Sequence, residues 1–272
     1  MSKCYAVASG KGGVGKSVIT ANLAAALALN GARVLIIDAD IGLRSQDALL
    51  GLEDRVVYDL IDVSRKECMP EQAILACESV PSLHLLPAAQ FERVRSLEPK
   101  KLAKIIRSLS GTYDYIFIDC PAGIERGLRN VLNAGVDETI LIATPDDISM
   151  RSAERTAQII ESKKASRPCL IVNRLDEQLI RNGEMLSART VSQVLDLRLL
   201  GAIPEDPAVY RSQLKHFLFV HYDCEARNAV LRIASRIQGH PVPVAAYGEK
   251  GGRFFRRLFS RRLKEVVPID DH

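Results

Sequence analysis

Cys4-Tyr5-Ala6-Val7-Ala8-Ser9-Gly10-Lys11-Gly12-Gly13-Val14-Gly15-Lys16-Ser17-Val18-Ile19 is the stretch that decides the fold. It runs from a short apolar strand through a glycine-rich loop into a segment, Lys16–Leu29, that holds neither Gly nor Pro and reads as a helix. Gly10 to Ser17 satisfies the spacing GxxxxGK[ST] in the context it requires, after a strand and opening a helix. Gly10, Gly12, Gly13 and Gly15 let the chain wrap tightly enough for successive backbone N–H groups, those of Lys11 and Val14 among them, to face a phosphate. The helix that starts at Lys16 adds the positive end of its dipole. Lys16 is then expected to reach the β- and γ-phosphates, and the Ser17 hydroxyl to ligand Mg²⁺.

Outward from the loop, short apolar runs alternate with helix-length segments. Candidate strands are Cys4–Ala8, Arg33–Asp38, Leu83–Pro87, Tyr115–Asp119, Thr139–Ala143, Cys169–Asn173 and Leu199–Ile203. Runs such as VLIID, YIFID and TILIA are apolar without alternation, as strands buried on both faces are. Candidate helices include Lys16–Leu29, Pro99–Leu109, Arg151–Ser162 and Ala226–Ile237. The alternation predicts an α/β fold, a doubly wound and mostly parallel sheet of about seven strands in one domain over residues 1–238.

Two groups of carboxylates belong with the loop. Asp38 and Asp40 end the second strand in VLIIDADIGLR, and Asp119 ends YIFIDCPAG. Ligands of open α/β sheets bind at the carboxyl ends of the strands, so these side chains should converge on the phosphate loop. Further on, VNRL puts Asn173 at a strand end with an amide able to read a base edge, and IPED puts Pro204 and Asp206 after the last strand. Any one strand-end Asp or Asn is as readily a turn cap, and the weight lies in their combination.

Composition narrows the function. The six cysteines at 4, 68, 77, 120, 169 and 224 form no CxxC pair and no Cys/His cluster, the expectation for reduced structural thiols. Cys120 alone sits beside a candidate site residue. No apolar run reaches eighteen residues, and the N-terminus enters its strand without a secretory h-region. The net charge of +4 lies in the last residues: 250–272 hold seven basic and three acidic side chains, leaving the preceding 249 neutral. A neutral body is not built to attract nucleic acid, and direct nucleic-acid binding is not expected.

KGGVGKS, with its early lysine, resembles the deviant Walker A loop of the MinD/ParA family of P-loop ATPases, and similarity to the MinD branch runs over nearly the whole chain. It is carried by SGKGGVGKS, DADIGLR, RVVYDLIDV, LLPAAQ, DCPAGIE, GEMLS, GAIPED and an amphipathic C-terminus. The resemblance implies an ATPase with ATP and Mg²⁺ as ligands and a homodimer in the ATP state. Lys11 would then act across the dimer on the partner's nucleotide, and Asp119 would be the Walker B carboxylate. It also implies Asp38 in support of the Mg²⁺ shell, Asp40 orienting the attacking water, and an adenine pocket lined by Asn173, Pro204 and Asp206. A role in placing the division septum follows, with a MinC-like inhibitor and a MinE-like or other regulator as partners. The chain departs from the family pattern at Val18, where a second hydroxyl is usual, and at Ser152, where an acidic residue is frequent. Arg126 has no physical account.

After Ile237 the composition shifts. Residues 239–252 are rich in Pro and Gly and read as a linker, and residues 253–267 as an amphipathic helix. Phe254, Phe255, Leu258 and Phe259 fall on one side of that helix, opposite Arg253, Arg256, Arg257, Arg261 and Lys264. Too short to span a bilayer, it suits an interfacial anchor on an anionic surface. The expectation is a cytoplasmic protein peripherally attached to the inner face of the cell membrane. A DNA-partitioning ATPase of the ParA kind would carry its basic surface on the body, and a flagellar-number ATPase an extension before the first strand. A reductase like the nitrogenase iron protein would need cluster-ligating cysteines.

Overall fold

The computed structural model describes residues 2–90, 97–123, 126–163 and 167–248. The tail helix expected over 253–267, with Phe254, Phe255, Leu258 and Phe259, lies outside them. So do Glu125 and the side chain of Arg126.

The sequence first lays down β1 (Lys3–Ala8), α1 (Lys16–Leu29), β2 (Val34–Asp38), α2 (Ser45–Leu50), α3 (Leu60–Arg65), α4 (Pro70–Ala73), β3 (Leu75–Ala76) and β4 (Leu83–Leu86). There follow α5 (Pro99–Leu109), β5 (Tyr115–Asp119), α6 (Arg126–Leu132), β6 (Glu138–Ala143), α7 (Asp147–Ser162) and β7 (Cys169–Leu175). The last described elements are α8 (Glu177–Asn182), α9 (Ala188–Leu195), β8 (Arg198–Pro204), α10 (Pro207–Leu214) and α11 (Glu225–Ile237). Eight strands form one sheet in the order β3-β4-β2-β5-β1-β6-β7-β8. All pairs are parallel except β3 with β4. The seven expected strands are all present. The eighth, β3, pairs at only two residues, too few to leave a periodicity in the sequence.

Helices cover both faces. Alternate residues of each strand feed two cores: Cys4, Ala6 and Ala8 of β1 pack with α3, α5, α6, α7 and α9. Tyr5 and Val7 pack with α1 and α11, where Tyr5 stacks on Phe117 of β5 at 5.3 Å between ring centroids. Helix α1 is buried nearly all round, between the sheet and α11, which explains its run of alanines: anything larger would hold the layers apart. Gly201 serves the same packing, since a Cβ there would stand 2.3 Å from Ile233 of α11.

Helix α7 starts at Asp147, ahead of the expected Arg151, because Asp146 caps it by accepting from the Ser149 N–H at 2.9 Å. The described residues beyond α11, 239–248, form no helix or strand, yet they lie against the body. Arg236 donates to the carbonyls of Val242 and Pro243, and Arg232 donates to the Tyr247 hydroxyl at 2.7 Å. A Cβ on Gly248 (φ +66°) would be 2.7 Å from the Glu177 carbonyl, so the chain passes hard against α8. Among the described residues no helix is long and apolar enough to cross a membrane.

Candidate nucleotide site

Strand β1 lies between β5 and β6, so connections leave the sheet in opposite directions at its carboxyl end. That switch point is the crevice open α/β sheets use, and the glycine loop sits in it. Gly13 (φ +79°) and Gly15 (φ +92°) occupy left-handed backbone that a side chain would strain. No side chain caps α1, whose N-cap is Gly15 and whose first turn holds no acidic residue. The leading N–H groups of α1 are thereby left for an anion. Gly10 has a different reason: a Cβ there would stand 2.2 Å from the Ser152 carbonyl oxygen, so the loop rests directly on α7. Position 152 is thus a floor of the phosphate loop.

The expected carboxylates do converge. Asp38 and Asp119 are register partners on β2 and β5, both fully buried. Lys16, 6 % exposed, donates to Asp119 Oδ1 at 2.5 Å and to Ser17 Oγ at 3.2 Å, and its Nζ lies 3.9 Å from Asp40 Oδ2. Burial opposes the lysine's charge, but Asp119 and Asp40 outweigh it and hold the ammonium pKa above its ordinary value. Asp40 is pushed up by burial, an effect Lys16 partly offsets. Asp38 is pushed up to about 8, by burial first and by the charge of Asp119 second. Both Asp38 oxygens are taken, Oδ1 by the Asp40 N–H at 3.0 Å and Oδ2 by the Gln46 N–H at 3.1 Å. Asp38 thus caps α2 from a neighbouring strand and braces the site from behind.

Three backbone bonds close the cluster: Ala39 N–H to the Asp119 carbonyl at 3.0 Å, Cys120 N–H to Val7 at 3.0 Å, and Gly123 N–H to Ser9 at 2.9 Å. Cys120 is fully buried, and burial drives its thiol pKa far up, so it remains an inert apolar filler.

Lys11 points the other way. Its side chain is 42 % exposed and lies 3.6 Å from Asp146. Partial burial opposes ionisation of that carboxyl, but Thr144, the Ser149 N–H and Lys11 together hold its pKa below the usual range. Asp146 is a partner the sequence did not announce.

Beside the loop opens a cleft lined by Gly15, Val18, Asn173, Pro204, Asp206 and Tyr210 among others. The expected base-side residues are therefore together, with two refinements. Asn173 spends one donor on the Val14 carbonyl at 2.8 Å, and Gly15 is glycine because a Cβ would stand 2.5 Å from that amide nitrogen. Asp206 caps α10 through the Ala208 N–H at 2.9 Å and receives the Ala226 N–H of α11 at 3.1 Å, so its carboxylate builds the wall of the cleft. Val18 packs against the α1–α11 core.

The residues fit a magnesium-bound nucleotide. Ser17, Asp40 and Asp119 offer the hard oxygens Mg²⁺ takes, and the buried hydroxyls of Ser9 and Ser45 have no hydrogen-bond partner. Among the described residues no three His, Cys, Asp or Glu side chains close into a metal cage. A hard cation here would rest on one or two protein oxygens and on phosphate, as Mg²⁺ commonly does.

Comparison with known proteins agrees with this geometry. The family profile described as ParA, NUBPL iron-transfer P-loop NTPase, matches residues 1–238. The septum site-determining protein MinD of Helicobacter pylori is 40 % identical over 262 residues, covering 93 % of this chain and 97 % of that one. A chain of the MinC:MinD cell division protein complex of Aquifex aeolicus superposes with a TM-score of 0.84 at 36 % identity, over 91 % of this chain and 100 % of that one. The septum site-determining protein MinD complexed with Mg-ADP from Pyrococcus horikoshii gives 0.78 at 30 % identity, over 87 % and 96 %. Fold, loop and carboxylates define a ParA-type P-loop NTPase. Within that class the chain belongs to the MinD family.

Proposed function

We propose that this protein is an ATPase that dimerises on binding ATP, attaches to the inner face of the cell membrane and helps to place the division septum, leaving the membrane when ATP is hydrolysed to ADP and phosphate. The observation that carries the proposal is the loop with two lysines in two environments. Lys16 is buried among carboxylates, while Lys11 is half-exposed on the rim of the same loop.

Lys16 and the loop amides bind the phosphates, and the cleft at Asn173 and Pro204 takes the adenine. The Ser17 hydroxyl and Asp119 would hold Mg²⁺, which would supply positive charge against the phosphate oxygens. Asp40 orients the attacking water; its raised pKa makes it a better proton acceptor than an ordinary carboxylate. Lys11 exchanges its contact with Asp146 for the partner copy's nucleotide, supplying positive charge where charge develops in the transition state. The Mg-ADP relative supports the ligand set, and the MinC:MinD complex supports an inhibitor of the MinC kind as partner.

Light scattering and vesicle sedimentation test this together. The wild type should dimerise and sediment with anionic vesicles in ATP and far less in ADP, while Lys11→Ala should bind ATP yet stay monomeric. Equal sedimentation in both nucleotides, or normal dimerisation of Lys11→Ala, would overturn it. A DNA-partitioning role would instead show as ATP-dependent co-sedimentation with DNA, for which the neutral body gives no support.

A further inference from the structure

Gln46, the second residue of α2, has no exposed surface and bonds to residues of α1, β2 and β5. Its side-chain Nε2 donates to Asp119 Oδ2 at 2.6 Å and to the Ser17 carbonyl at 3.1 Å. Both partners are pure acceptors, which fixes the orientation of the amide. Its own backbone N–H holds Asp38 Oδ2. One residue therefore contacts both buried carboxylates, side chain to one and main chain to the other. Its Oε1 is buried without a hydrogen-bond partner.

The two Asp119 oxygens are divided between elements. Oδ1 receives Lys16 of α1; among the described residues Oδ2 receives only Gln46. Without the amide, the carboxylate would be held at one oxygen and could swing about its Cβ–Cγ bond toward Lys16, away from Asp38, its register partner on the neighbouring strand. Partners that hydrogen-bond a metal's ligands set ligand orientation and affinity nearly as strongly as the ligands themselves.

We infer that Gln46 is a positioning residue that holds Asp119 in the orientation Mg²⁺ requires and ties that carboxylate to α2, so that cation affinity depends on a side-chain amide outside the phosphate loop. The inference rests on the ATPase proposal above.

The test measures binding of N-methylanthraniloyl-ADP to the full-length protein, in EDTA and across a Mg²⁺ titration, so that no turnover is needed. In Gln46→Leu, affinity in EDTA should stay within about twofold of wild type. The Mg²⁺ concentration giving half of the cation-dependent gain should rise about 10- to 100-fold, the usual cost of losing such a partner. ATP hydrolysis should shift to the same higher Mg²⁺ and recover at saturation. Gln46→Met, unbranched and of similar length, stands in should the leucine variant fail to fold by circular dichroism. An unchanged Mg²⁺ midpoint would overturn the inference, as would an equal loss of affinity with and without Mg²⁺, the mark of a merely structural residue. Failure of the wild type to bind the nucleotide at all would instead overturn the ATPase proposal.

Discussion

Lys16 shows how a residue recognised from a motif gains a second meaning from its surroundings. Its ammonium is the near partner of a carboxylate with no exposed surface, so truncating it removes a phosphate ligand and also strands a buried charge. Lys16→Ala should lose ATP binding and, independently, about 3–5 kcal/mol of stability, the usual cost of breaking a buried pair from one side. Urea unfolding of Lys16→Ala beside Lys16→Ala/Asp119→Asn checks this: the double variant should recover part of the loss although it binds no better. Asp38 makes the complementary case. Burial and Asp119 hold its proton in the folded protein up to about pH 8, whereas the unfolded chain releases it near pH 4. Between those values the folded state binds more protons, so this group makes stability fall as pH rises. Unfolding midpoints from pH 5 to 8.5 should therefore slope downward in wild type and less steeply in Asp38→Asn.

At the scale of elements, two glycines separate packing from binding. Gly10→Ala forces the phosphate loop off the backbone of α7, while Gly201→Ala forces α11 off β8; each overpacks by about 1–3 kcal/mol. Nucleotide affinity should fall at least tenfold in the first and stay near wild type in the second, measured by calorimetry at a temperature where both are folded. The same elements show what the sequence made legible. The phosphate loop, the seven longer strands and the carboxylates at the ends of β2 and β5 could be read because each is local: an apolar run, a spacing, a strand end. Gln46 and Asp146 could not. Gln46 stands 73 residues from the carboxylate it holds, and Asp146 lies ahead of the expected helix start at Arg151, so its cap could not be read. Strand β3 escaped because two residues carry no period, and Asp206 was legible as a cleft residue but not as the brace that joins α10 to α11. Side-chain contacts such as those of Gln46, which lie at no strand end and in no motif, leave no pattern to read until the sheet order is known.

The whole molecule offers two ends for function: the strand-end face with its loop, and the basic, phenylalanine-rich segment after residue 252. A single short amphipathic segment binds a membrane marginally, and pairing two through a dimer raises avidity by about 10²–10⁴. Removal of the chain before Gly252, or Phe255→Glu, should abolish vesicle sedimentation and leave ATP-dependent light scattering intact. Retention of the truncated form on vesicles would refute the anchor. The sheet itself decides which surfaces are open to a second copy. One edge ends in β3, a two-residue antiparallel strand; the other, β8, meets its neighbour through register shifts and ends at Pro204, which has no N–H to give. Short, irregular or proline-ended edges are poor templates for strand addition. The cycle proposed above would concentrate the protein on a surface without polymerising it, and blunted edges remove the continuous β-ribbon as a competing assembly. On that proposal the strand-end face would be the meeting place of two copies, and contact between them would be tied to the nucleotide bound there.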